Sequence, residues 1–178
     1  RFLFMAMHRN IFKDRLLAEL LPPFLGGNRS HLWEACGKRF TNLTYQEADK
    51  ISKDNKEFIT GLFPAGPIHA SLFAKEAQDV IGQVGDATKG VQRMLENIGF
   101  HYVNRVDPFD GGPHFEANTD AIWPVKESQR AQADIIDRRA LDEDAGKSAE
   151  GLVAVDDSEE GKGFRALYIS FRLSERAG

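Results

Sequence analysis

Cysteine is nearly missing from this sequence. A single residue, Cys36, in 178 excludes an internal disulfide framework and predicts a reducing, cytoplasmic setting. There is no excess of positive charge: 23 Lys and Arg against 27 Asp and Glu leave a net charge of −4 and a pI near 5.8. With no basic run or aromatic-interleaved Lys/Arg stripe, nucleic-acid phosphate is excluded as the main partner. Long hydrophobic runs are also lacking. Arg1-Phe2-Leu3-Phe4-Met5-Ala6-Met7 is apolar but too short to span a bilayer, and no small-residue cleavage site follows it, so no membrane partner is expected. His8, His31, His69, His101 and His114 are scattered, without H-x-x-x-H or C-x-x-C spacing, and no metal is expected. A P-loop, a dinucleotide fingerprint and G-x-S-x-G are all missing. The pairs Gly26-Gly27 and Gly111-Gly112 are too short to cradle a pyrophosphate.

What is present reads as a soluble globular protein, 42% hydrophobic and 28% charged. Phe2 to Phe12 has the pattern of a helix covered on several sides. It opens with neither an N-cap nor an initiator methionine, which predicts that further chain precedes Arg1. Arg15 to Leu21 reads as a buried strand stopped by Pro22-Pro23. Ser30 caps a predicted helix through Lys38, and Thr44-x-x-Glu47 and Asp54-x-x-Glu57 read as capping boxes. Pro64-Ala65-Gly66-Pro67 breaks the chain before a predicted strand, Ile68 to Phe73, and a helix, Lys75 to Ile81. The clearest helix runs from an Asp86 cap to Ile98, with Val91, Met94, Leu95 and Ile98 on one face and Gly99 at C′.

Phe100 to Val106 is a predicted strand, Asp110-Gly111-Gly112-Pro113 a tight turn, and His114 to Ala117 the returning strand. From Lys126 to Glu150 charge dominates and large apolar residues are few, the composition of a linker or a solvated helix. Beyond it, Leu152 to Val155 and Phe164 to Leu173 read as strands around an acidic turn, Asp156 to Gly161. The expected division is a principal domain over 1–125, a linker over 126–150 and a partial β-rich segment over 151–178.

Few residues carry recognisable chemistry. Cys36 falls in a predicted helix and reads as a small buried residue rather than a nucleophile. Asp107-Pro108-Phe109-Asp110-Gly111-Gly112-Pro113 reads as a strand end with a glycine turn. Its two carboxylates also suit the planar fork of a guanidinium.

Arg1 to Ala6, His31 to Phe40, Glu76 to Val84, Met94 to Phe100 and Asp107 to Pro113 are five segments that, in this order, resemble the C-terminal half of the arginine N-succinyltransferase family. Arg1-Phe2-Leu3-Phe4-Met5-Ala6 is similar to the helix after that family's acyl-CoA loop. His31-Leu32-Trp33-Glu34-Ala35-Cys36-Gly37-Lys38-Arg39-Phe40 is similar to its S-P-F-W-x-x-L-G-K-R-F segment. Glu76-Ala77-Gln78-Asp79-Val80-Ile81-Gly82-Gln83-Val84 resembles E-A-Q-D-V-I-G-Q-V. Met94-Leu95-Glu96-Asn97-Ile98-Gly99-Phe100 and Asp107 to Pro113 resemble L-E-x-E-G-F and D-x-F-D-G-G-P.

The resemblance implies an α/β (α+β) fold: an incomplete GNAT-like acyltransferase core with a central mixed sheet, followed by a small β-rich region. It implies transfer of succinyl from succinyl-CoA, a co-substrate rather than a bound cofactor, to the α-amine of L-arginine or ornithine. It also implies a homo- or hetero-oligomer. Three departures stand out. The family's pyrophosphate-holding loop lies upstream of Arg1, and its further β structure lies beyond Leu173. The proton-donor histidine that follows G-Q-V in the family is Gly85 here, which removes the titratable group and is expected to enlarge the pocket. His69, where the family tends to have tyrosine, is the candidate replacement donor, ahead of His101 and His114. Lys38, Arg39, Asp107 and Asp110 are the candidate substrate-binding residues. Two alternatives follow from Gly85: a non-catalytic partner subunit of a heteromeric enzyme, or a related CoA-dependent N-acyltransferase with a different amine substrate.

Overall fold

Alternating burial makes Pro113–Asn118 the strand around which its part of the chain is organised: Pro113, Phe115 and Ala117 point into the interior, and His114 and Glu116 lie on the opposite face. The structure is a computed structural model, and it describes residues 1–26, 29–55, 57, 61, 63–132, 148–157 and 163–172. The chain divides into two compact units, Lys13–Trp123 and Arg1–Phe12 with Pro124–Gly178.

In the Lys13–Trp123 unit, β1 (Arg15–Glu19), β2 (Phe24–Leu25), β3 (Arg29–Ser30), β4 (His101–Val106) and β5 (Pro113–Asn118) form two sheets. The larger has the order β1-β5-β4, and both of its pairs are antiparallel. The expected mixed sheet is therefore antiparallel among the described residues. A tight turn joins β4 to β5, and only antiparallel strands can be joined that way. β1 is one-faced rather than buried, since Leu17 is 51% exposed. Strand β4 carries a bulge between Tyr102 and Val106, with Asn104 at φ 54°.

The predicted helix after Ser30 is two short ones, α2 (His31–Ala35) and α3 (Gly37–Thr41), broken at Cys36. The Ser30 hydroxyl accepts from the Trp33 N–H at 3.1 Å, as a cap should. Helix α4 (Tyr45–Asp54) begins with the predicted Thr44–Glu47 capping box, both bonds present. The second predicted box does not form: Asp54 is the last residue of α4, and Asn55 accepts from the Glu57 N–H at 3.0 Å instead. Ile68 to Phe73 is not a strand. A 3₁₀ turn, Ala70–Leu72, satisfies its own backbone through Leu72 N–H to His69 O and Phe73 N–H to Ala70 O, each 3.0 Å.

Helix α5 (Lys75–Val80) matches its prediction. Helix α6 (Lys89–Asn97) starts later than expected, because Asp86 opens a 3₁₀ turn and pairs with Lys89 at 2.6 Å rather than capping. Gly99 holds φ 108°, the conformation its C′ position requires. The core beneath α2 and α4 is Trp33, Ala48 and Phe109, with Leu43, Tyr45 and Phe63 packed on it. The Trp33 and Phe109 rings stack at 5.1 Å and 4°, and the Trp33 indole N–H donates to Leu43 O at 2.9 Å. Gly37 must be glycine, since a Cβ there would sit 2.2 Å from the Trp33 ring.

The other unit contains α1 (Phe2–Met7) and a hairpin of β6 (Ser148–Asp157) and β7 (Gly163–Arg172), paired from Ser148↔Arg172 to Asp157↔Gly163. Phe4 meets Phe164 edge-on at 5.1 Å, and His8 Nε2 lies 2.5 Å from the Asp156 carboxylate. Ser148 to Glu150, expected in the linker, belong to β6. Residues 133–147, the tip of the predicted acidic turn and Leu173 lie outside the described residues. No described helix is long and apolar enough to cross a membrane.

Trp33→Ala removes a fully buried ring and its stacking partner's support. We expect a loss of about 3–5 kcal/mol, measured by urea unfolding followed by far-UV circular dichroism. A loss below about 1 kcal/mol would show that the core does not depend on this ring.

Candidate functional site

The Asp107–Pro113 turn forms because Asp110 folds back on its own backbone. Its Oδ1 accepts from the Gly112 N–H at 2.7 Å, and Asp107 Oδ1 accepts from the Phe109 N–H at 2.6 Å. Backbone bonds close the turn, with Gly111 N–H to Asp107 O at 2.8 Å and Asp107 N–H to Gly112 O at 2.9 Å. Gly111 has φ 83°, and a Cβ on Gly112 would lie 2.3 Å from Leu20 O. Both glycines are therefore required, one by conformation and one by close approach. Asp110 is buried, and its Oδ2 accepts from the Tyr45 hydroxyl at 3.2 Å. Burial raises its carboxyl above the usual range, against the pull of the Gly112 N–H. Burial, with the Asp110 charge beside it, pushes the Tyr45 phenol up as well, so tyrosine remains the donor.

Two other segments attach to this turn. Gly82 N–H donates to Gly111 O at 2.8 Å, and Gly85 N–H to Leu21 O at 2.8 Å. Leu20 N–H donates to Pro113 O at 3.1 Å. Between Gly82-Gln83-Val84, α6 and β4 lies a shallow cleft of about 220 Å³, lined also by Lys89, Tyr102 and Phe115. This is smaller than the roughly 300–1,000 Å³ of a ligand pocket. Lys38 and Arg39 share a separate open depression of about 540 Å³ with Glu34 and Asn42, where Lys38 pairs with Glu34 at 2.8 Å.

The predicted site residues thus fall in three places. Asp107 and Asp110 share the turn, and the second has both oxygens engaged within the chain. Lys38 and Arg39 stand together on α3. His69 is exposed ahead of the 3₁₀ turn, and no described residue hydrogen-bonds its ring. Cys36 is buried, and burial raises its thiol, as the reading of a packed rather than nucleophilic cysteine requires. Sequence reasoning missed Tyr45, Lys89 and Tyr102. The strand alternation that pairs Tyr102 with Phe115 was available as a signal, but the Tyr45–Asp110 bond spans 65 residues and left none.

The family model for the arginine N-succinyltransferase beta subunit matches residues 1–124. This chain belongs to the arginine N-succinyltransferase family. It is 39% identical over 176 residues to the arginine N-succinyltransferase of Yersinia enterocolitica, covering 98% of this chain and 49% of that one. The Escherichia coli O139:H28 enzyme of the same name is 38% identical over 130 residues, 72% of this chain and 38% of its own length. The chain thus spans about half the length, or less, of these curated relatives. In structure it is similar to the arginine/ornithine succinyltransferase subunit AI from Pseudomonas aeruginosa, with a TM-score of 0.61 and 26% identity, over all of this chain and 47% of that one. The expected α/β fold agrees with this likeness.

One expectation about the family's histidine position is corrected. Gly85 does not enlarge a pocket: a Cβ there would lie 2.6 Å from Pro22 O and 3.1 Å from Leu21 O, so backbone fills the space. The cause is the Gly85–Leu21 hydrogen bond, which draws the two segments together.

Two outcomes follow from the turn. Gly112→Ala must displace the Leu20 carbonyl and should cost about 1–3 kcal/mol, measured by denaturant titration. A carboxyl raised by folding stabilises most when protonated. The contribution of Asp110 is therefore complete below about pH 4 and declines as pH rises through its folded value. Asp110→Asn keeps the neutral form at every pH and should lose less stability than the parent between about pH 4 and pH 7. Identical pH slopes would refute a raised carboxyl.

Proposed function

We propose that this chain supplies part of the active site of a succinyl-CoA-dependent arginine N-succinyltransferase working in the cytoplasm. The observation that carries the reading is family membership across residues 1–124, with the Gly82-Gln83-Val84 segment lining a cleft beside the Asp107–Pro113 turn. The deprotonated α-amine of L-arginine, or of ornithine, attacks the thioester carbonyl. The C–S bond breaks, the amine gives up a proton, and the CoA thiolate takes one.

His69 is proposed as the proton donor, supported by an exposed ring that no described residue hydrogen-bonds. Lys38 and Arg39, cationic and side by side, suit a substrate carboxylate or phosphate. The Asp107–Asp110 turn is proposed to shape the substrate side of the site. Assembly into a homo- or hetero-oligomer is part of the same reading, in line with the naming of the P. aeruginosa relative as a subunit.

One observation favours a second reading. The crowding of Gly85 by the Pro22 carbonyl leaves no space for a side chain where the family carries its histidine. Under it the chain is the non-catalytic partner of a homologous subunit that keeps the residue.

The deciding experiment is thiol release by the complete reading frame with succinyl-CoA and L-arginine. Turnover is expected, and His69→Ala should lower kcat by about 100-fold or more and remove one limb of the pH profile. Unchanged turnover in His69→Ala eliminates that residue as donor. No thiol release from folded protein, with recovery of a histidine-bearing homologue on co-purification, establishes the second reading. Turnover with another amine but not arginine would instead identify a related N-acyltransferase.

A further inference from the structure

The register of the larger sheet sets Glu19 of β1 directly opposite His114 of β5, so both side chains leave the same face. On the other side of β5, the bulge in β4 takes Val103 to Arg105 out of register, and His114 has no partner residue there. Asp107 follows the end of β4 and brings its carboxylate to the same place. One ligand atom from each of Glu19, Asp107 and His114 lies within 4.8 Å of the others. The acceptors are largely unspent: Asp107 Oδ1 accepts from the Phe109 N–H, and the Glu19 carboxylate is otherwise bound to no described residue.

A second observation comes from the imidazole. His114 Nε2 is closed off from solvent and makes no hydrogen bond, although a Glu19 carboxylate oxygen lies 3.4 Å away. A buried ring nitrogen left unsatisfied is costly, and such atoms in native proteins call for a partner. The nitrogen lone pair and two carboxylate oxygens form a mixed set of borderline and hard donors.

We propose that Glu19, Asp107 and His114 form a binding site for a divalent transition cation of the Zn²⁺ type. Tetrahedral bonds of about 2.0–2.2 Å place ligand atoms roughly 3.3–3.6 Å apart. His114 and Glu19 already stand 3.4 Å apart, and the remaining separations, all within 4.8 Å, close by a small side-chain rotation that the exposed Glu19 can share. Water completes the fourth position on the open side. The ion ties β1 to the β4–β5 turn and gives the buried nitrogen its partner. The sequence carries no hint of this, because the ligands stand 88 and 7 residues apart and meet only through strand register.

The test is calorimetric titration of the chelator-treated full chain with Zn²⁺, alongside Co²⁺ titration followed by visible absorption. We expect one ion bound per chain, a Co²⁺ spectrum of low coordination number, and a thermal midpoint that rises with ion concentration. Glu19→Gln, at an exposed position that tolerates the change, and His114→Gln should each weaken binding by at least about 100-fold and abolish the midpoint shift. His101→Gln should leave both intact. Absence of binding at millimolar ion overturns the proposal. So does binding that survives in Glu19→Gln and His114→Gln. None of these readouts depends on acyl transfer, so they stand apart from the enzyme assay.

Discussion

The buried carboxylate of Asp110 is the point on which the larger unit depends. It holds the Gly112 N–H and the Tyr45 hydroxyl at once, joining the β4–β5 turn to helix α4. The Ser30 hydroxyl reaches the carbonyls of Phe109 and Asp110 at 3.4 and 3.5 Å, while it also caps α2. Phe109, fixed by the same turn, is the ring on which Trp33 stacks. Three elements distant in sequence are thus positioned by one seven-residue segment. A carboxylate in such surroundings is tolerable only because its oxygens are satisfied.

The same turn explains the geometry at Gly85. Gly111 O fixes Gly82 and Pro113 O fixes Leu20, and the next bond runs from Gly85 to Leu21. Once those bonds form, the Leu21–Pro22 backbone occupies the space that a side chain at 85 would need. The absence of a side chain at Gly85 and the closure of the space beside it are therefore linked through backbone hydrogen bonds.

Local chemistry was legible in the sequence wherever one segment settles its own backbone. The Thr44–Glu47 box, the Ser30 cap, Gly99 at a helix end and the turn at Asp110 all appear where the residues predict them. The misreadings share a cause, because each chose between two local options that neighbours decided. Ile68 to Phe73 has strand composition but finds no partner strand among the described residues, so it closes 3₁₀ bonds on itself. Asp54 looks like a cap but is spent as the last residue of α4. Of the candidate site residues, the pairing of Asp107 with Asp110 and of Lys38 with Arg39 was visible as adjacency; the exposure of His69 was not.

By itself the sequence determined the family, through ordered motifs from Arg1 to Pro113, and the local caps and turns that depend on bonds a few residues long. Tertiary structure decided that Asp110 holds the Tyr45 hydroxyl, that Gly85 lies under a carbonyl, and that Glu19 faces His114. The division has one physical reason. Caps and turns are satisfied within the reach of a single segment, whereas burial and cross-strand register exist only after distant segments have paired.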